Sequence, residues 1–118
     1  MSTASPRSPI TTHVLDTARG CPAAGVPVRL ERQVGDDFQL IGRGTTNSDG
    51  RVADLLVPGA LSAGVYRITF DTGVYYEALG IAGFYPYAQI VFVVREPGQH
   101  YHVPLLLSPF GYSTYRGS

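Results

Sequence analysis

Glycine and proline interrupt this chain too often for long helices. Fourteen glycines and nine prolines stand among 118 residues, with short β-branched and aromatic runs between them. Runs of that kind, bounded by turn formers, read as strands. Ile10 to Asp16 alternates, with Ile10, Thr12 and Val14 on one face and Thr11, His13 and Leu15 on the other. Val26 to Arg32 sets Val26, Val28 and Leu30 on a common face. Phe38 to Thr46 is a third extended run. The turn Asn47-Ser48-Asp49-Gly50 leads from it into Arg51 to Leu55, read as the return strand of a hairpin. Gly64 to Asp71 alternates again, with Tyr66, Ile68 and Phe70 as its buried set. Thr72 is placed to cap a short helix through Tyr75, Tyr76 and Leu79, and Gly80 to stop it. Ala88 to Val94 is almost continuously apolar, the pattern of a central strand covered on both sides. Gln99 to Leu107 and Gly111 to Arg116 make the last pair, turned at Ser108-Pro109-Phe110-Gly111. The expectation is all-β: a β-sandwich of about eight strands with one short helix.

A chain of this length is expected to form one domain: a flexible Ser- and Pro-rich tail over residues 1–8, then a sandwich over 9–118. One core consumes most of such a chain, so an active site would draw walls from a second copy. Nine Lys and Arg balance nine Asp and Glu, which argues against nucleic acid or an anionic membrane as partner. The tail lacks the apolar core of a secretory signal, and the longest purely apolar run, Ile90 to Val94, is too short to span a bilayer. A soluble, cytoplasmic protein is expected. The lone Cys21 permits no intrachain disulfide.

Several chemistries lack their motifs. The chain has no phosphate-cradling glycine loop, no dinucleotide fingerprint and no G-x-S-x-G elbow. His100 and His102 stand two apart on a strand and so share a face. Such a pair is half of a zinc site, with His13 as a third candidate ligand, or else supplies a general base. No second cysteine or carboxylate stands at ligand spacing, so no metal and no cofactor is assigned. An acid–base histidine needs a nearby cation, and Arg51, directly after the turn, is the candidate. Spacing alone fits a non-catalytic sandwich equally well, with a solvated arginine and histidines covering a sheet edge.

Longer patterns go further. Ser8-Pro9-Ile10-Thr11-Thr12-His13-Val14-Leu15-Asp16 with Gly20-Cys21-Pro22-Ala23, and the turn Thr46 to Arg51, are one part of them. Ala78-Leu79-Gly80, Phe84-Tyr85-Pro86 and the stretch His100 to Pro109 with Tyr112-Ser113-Thr114 are the other. Together they resemble the transthyretin-like family over residues 8–118. That family has carriers of thyroid hormone and an enzyme branch that hydrolyses 5-hydroxyisourate, marked by a chain ending in Tyr-Arg-Gly-Ser. This chain ends Tyr115-Arg116-Gly117-Ser118 and carries His13, Arg51 and His102 where the enzyme branch has catalytic residues. Tyr85 departs from the more usual Phe of that branch and concerns packing only.

The resemblance implies a transthyretin (prealbumin)-like sandwich assembled as a homotetramer, a dimer of dimers with sites in the channel between dimers. It implies cofactor-free hydrolysis of 5-hydroxyisourate to 2-oxo-4-hydroxy-4-carboxy-5-ureidoimidazoline in urate degradation. His13, Arg51 and His102 would be catalytic, and His13, Arg51, Tyr115 and Ser118 would bind substrate. The rival expectation is a carrier that holds a small aromatic ligand in the same channel without turnover.

Overall fold

The computed structural model describes residues 8–118. The expected tail lies outside the described residues except for Ser8, which is buried, its hydroxyl accepting the Leu56 N–H at 2.9 Å. Among the described residues the chain forms nine strands, two of them only two residues long, and one short helix. They are β1 (Ile10–Asp16), β2 (Cys21–Pro22), β3 (Pro27–Val34), β4 (Asp37–Thr45), β5 (Arg51–Val52), β6 (Gly64–Phe70), α1 (Thr72–Ala78), β7 (Ala88–Val94), β8 (Tyr101–Ser108) and β9 (Gly111–Thr114).

The strands make two sheets. One runs β2-β1-β8-β9, with β5 also on β1; the other runs β4-β3-β6-β7. Between them lies the core that the alternation marks. Ile10, Val14 and Leu105 from one sheet meet Leu30, Ile68 and Phe70 from the other, all fully buried. Each such side chain contributes about 1.5–3 kcal/mol by leaving water. Several polar groups that enter the core are satisfied, though the buried Tyr76 hydroxyl has no hydrogen-bond partner among the described residues. Thr12 donates to the Val103 carbonyl at 2.6 Å, and Tyr66 donates to the Ser62 carbonyl at 2.8 Å. The helix is tied to the end of β1, because Tyr75 donates to the buried Asp16 carboxylate at 2.6 Å.

Three local expectations are corrected. The stretch after Arg51 is not the return strand of a hairpin: β3 pairs β4 from Thr45 to Asp37, and β5 crosses to the other sheet to pair with β1. The turn at residues 47–50 therefore joins the two layers, with the Val14 N–H donating to the Gly50 carbonyl at 2.7 Å. Thr72 does not cap the helix. Asp71 holds that position with no side-chain cap bond, while the Thr72 hydroxyl turns to the Tyr85 carbonyl at 3.4 Å. Gly80 ends the helix region as expected, at φ +70°. Finally, β7 is an edge strand, not a central one. Ala88 and Val94 are buried, but Val91 is 58% and Val93 45% exposed. A continuous apolar run reports hydrophobicity and says nothing of how many faces the fold covers.

Candidate functional site

The site is a consequence of register. Ile10, Thr12 and Val14 face the core, so Thr11 and His13 face outward from β1. The antiparallel pairing of β5 sets Arg51 opposite His13, and the parallel pairing of β8 sets His102 opposite Thr11. Directly paired residues share a face of the sheet. His13, Arg51 and His102 thus reach one outer face from three strands, as expected from the sequence.

Arg51 is placed by its turn. The Asn47 side-chain oxygen accepts the N–H groups of Asp49 and Arg51 at 2.9 and 3.0 Å. Gly50 follows at φ +75°, where a Cβ would lie 2.3 Å from the Val14 carbonyl oxygen. Only glycine lets the turn press so close to β1. The Arg51 residue itself is exposed, and among the described residues no carboxylate lies within ion-pair distance of it.

His102 is half-buried, with Nδ1 2.9 Å from the Thr11 hydroxyl oxygen. The same oxygen lies 2.8 Å from His100 Nε2. Burial lowers the His102 pKa from the ordinary imidazole value of 6.5, and Arg51, His100 and His13 push the same way, while a hydrogen bond to the Thr11 backbone opposes them. A cation next to a desolvated ring disfavours a second positive charge. His102 is therefore neutral at pH 7, in the form that accepts a proton.

The C-terminal tail borders this group. Past Thr114 the chain keeps the β9 register far enough for the Gly117 N–H to donate to the His102 carbonyl at 2.8 Å. The Arg116 guanidinium stacks on the Tyr101 ring at 4.4 Å and donates to Gln99 at 2.9 Å. Tyr115 lines a hollow of about 400 Å³ with His102, Phe92 and Tyr101. Ser118 is exposed at the end of the tail. Arg51 borders a separate, smaller hollow of about 170 Å³ with Thr11 and Thr12, and His13 lines neither of the two. One chain gathers the three polar residues on a face without enclosing them.

Two residues of the site were not singled out by sequence reasoning. Thr11 joins the histidine rings. Its only signal was the alternation that puts it on the His13 face. Gly117 seats His102: a Cβ there would lie 2.6 Å from the ring Cδ2, so a larger residue would displace the imidazole. Among the described residues no three His, Cys, Asp or Glu side chains gather as a metal site. The arrangement offers a neutral base, a cation with no carboxylate partner and an aromatic wall. That set suits attack of water on a carbonyl whose oxygen becomes negative.

Known proteins resemble the chain along nearly its whole length. It is 49% identical over 113 residues to the 5-hydroxyisourate hydrolase of Mus musculus, covering 94% of this chain and 96% of that protein. Among solved structures, the 5-hydroxyisourate hydrolase of Klebsiella pneumoniae matches with a TM-score of 0.82 and 39% identity, over 97% of this chain and 100% of that one. Sea bream transthyretin in complex with thyroxine matches with a TM-score of 0.88 and 34% identity, over 93% of this chain and 95% of that one. Backbone shape alone does not divide hydrolase from carrier, since function resides in the site. The sequence model of the HIUase/Transthyretin family matches residues 10–117, and the chain belongs to that family.

Proposed function

We propose that this protein hydrolyses 5-hydroxyisourate in urate degradation. The observation that carries the reading is His102, a half-buried imidazole kept neutral beside an arginine that has no carboxylate partner among the described residues. The bond cleaved is the acyl C–N bond of the six-membered ring. His102 takes a proton from water as the hydroxyl adds to the carbonyl carbon. Arg51 stabilises the charge that grows on the carbonyl oxygen, as an oxyanion donor does. His13 gives a proton to the departing nitrogen, and the carbonyl carbon ends as the carboxylate of 2-oxo-4-hydroxy-4-carboxy-5-ureidoimidazoline. Tyr115 and Ser118 hold the flat substrate at the border of the site.

The working unit in this reading is a homotetramer, a dimer of dimers with the substrate in the channel between dimers. Its support is the outward direction of the three polar residues and the placing of His102 and Arg51 on separate hollows of one chain, with His13 on neither. Two measurements test the reading. Carbon NMR of the reaction product should show the ring-opened carboxylate; a product with the six-membered ring intact would reject C–N cleavage. Sedimentation velocity at micromolar concentration should show a tetramer, whereas a monomer with full turnover would reject the shared channel.

A further inference from the structure

The Thr11 hydroxyl touches two imidazoles, with Oγ1 2.9 Å from His102 Nδ1 and 2.8 Å from His100 Nε2. We propose that Thr11 is a positioning residue that fixes the tautomer of His102 and passes a proton between His102 and His100. The proposal rests on the hydrolytic role given to His102 above. A hydroxyl has one hydrogen to donate and two lone pairs to accept with. Two arrangements join the rings in one directed line of hydrogen bonds. In the first, His102 Nδ1–H donates to Thr11, and Thr11 donates to His100 Nε2. His102 Nε2 is then bare and accepts a proton from water. In the second, the line is reversed, and His102 Nε2 carries hydrogen.

Catalysis converts the first arrangement toward the second. As Nε2 takes the proton of water, the Nδ1 hydrogen moves to Thr11, and the Thr11 hydrogen moves to His100 Nε2. His102 stays neutral and His100 becomes the imidazolium. The line then runs backward, and the proton passes through His102 and water to His13, which has given its own to the departing nitrogen. Water has supplied a hydroxyl to the carbon and, by way of the rings, a hydrogen to the nitrogen.

The register sets His100 further from Arg51 than His102 is. Arg51 lies opposite His13, and His102 lies opposite Thr11. His100 precedes Tyr101, whose N–H donates to the Pro9 carbonyl at 2.8 Å, and so stands one step further from the arginine. Two residues along a strand are about 6–7 Å. The relay therefore moves positive charge away from Arg51, while the Arg116 guanidinium, which donates to the His100 carbonyl at 3.4 Å, stands on the receiving side.

Nitrogen-15 NMR of the imidazoles and pH–rate profiles, on the full chain and its variants, test this. Those profiles also sense the groups around His102: His13 from β1, Arg51 from β5, Arg95 just past β7, His100 from the approach to β8, Tyr101 from β8, and Tyr115 and Arg116 from the tail. The unaltered protein should show His102 protonated on Nδ1. Thr11→Val should mix the two tautomers and lower kcat about tenfold or more, with KM little changed. Thr11→Ser should restore both readouts. His100→Gln keeps an acceptor for the hydroxyl but cannot store a proton, so it should lower kcat while leaving the His102 tautomer as it was. Adding it to Thr11→Val should cost nothing further. A folded Thr11→Val protein with unchanged tautomer and kcat would overturn the proposal, as would an unchanged kcat in His100→Gln. If the unaltered protein does not turn over substrate, the hydrolytic reading fails by itself, and the tautomer measurement still decides whether Thr11 governs His102.

Discussion

The two outer faces of the sandwich differ in what their arginines meet: a carboxylate on one, an imidazole on the other. On the β4-β3-β6-β7 sheet, Glu31 and Arg67 are direct cross-strand partners joined by two hydrogen bonds of 2.9 and 3.0 Å. Arg67 also lies over the Phe38 ring at 4.1 Å. Arg29 faces Asp71 at 3.8 Å. On the β2-β1-β8-β9 sheet, Arg51 has no carboxylate within ion-pair distance among the described residues, and its charge instead falls on His102. Arg67 and Glu31 cancel locally and contribute to the fold, although Arg43, the cross-strand partner of Arg29, also has no carboxylate within ion-pair distance among the described residues. On the second face the charge of Arg51 falls beside an imidazole.

The sharpest way to break this contrast is a matched pair of substitutions. His102→Ala should lower hydrolysis about a hundredfold or more, the usual worth of a general base, with circular dichroism unchanged. Glu31→Gln on the opposite face should leave turnover at its normal rate. Comparable losses in both would mean that the two faces do not differ in function.

Gly117→Ala tests how the tail supports the site. The added Cβ would meet the His102 ring, and that ring is already held by Thr11. Turnover should fall about tenfold, the scale expected when a catalytic group is misplaced without being lost. Thermal unfolding should change little, and full activity would show that the ring has room to move.

What could be read from the sequence divides along the same line. Ile10, Thr12 and Val14 show their alternation over a few residues, so the inner face of β1 was legible. Arg51 was singled out through the resemblance, but its strand was misread. Adjacency to a turn suggests a hairpin, and only the finished fold shows β4 already occupied by β3. The edge position of β7 was likewise hidden, because Val91 and Val93 are as apolar as a buried pair. The contact between Thr11 and His102 joins residues 91 apart through a parallel register, which no local spacing encodes.

Arg51→Gln sharpens the electrostatic half of the contrast. Removing the cation relieves the imidazolium, so the His102 pKa should rise from its lowered position toward the ordinary 6.5. The acidic limb of the His102 titration, followed by proton NMR, should move to higher pH. No movement would show that Arg51 does not depress the ring. The smallest effect should come from Glu31→Gln on stability, a loss of about 1 kcal/mol or less in urea unfolding. Hydrogen bonding to Arg67 lowers the Glu31 pKa below 4.5, so its contribution is present above that pH and fades as acid protonates the folded carboxylate.

The most direct test of the account is ultraviolet monitoring of freshly prepared 5-hydroxyisourate, alone, with the protein, and with His102→Ala at equal concentration. The account predicts that the unaltered protein speeds decay well beyond the spontaneous rate and turns over many equivalents, while the variant falls close to that rate. Saturable binding of the compound with decay no faster than in buffer would contradict it, and would make the outer face of β1 and β8 a carrier surface rather than a catalytic one.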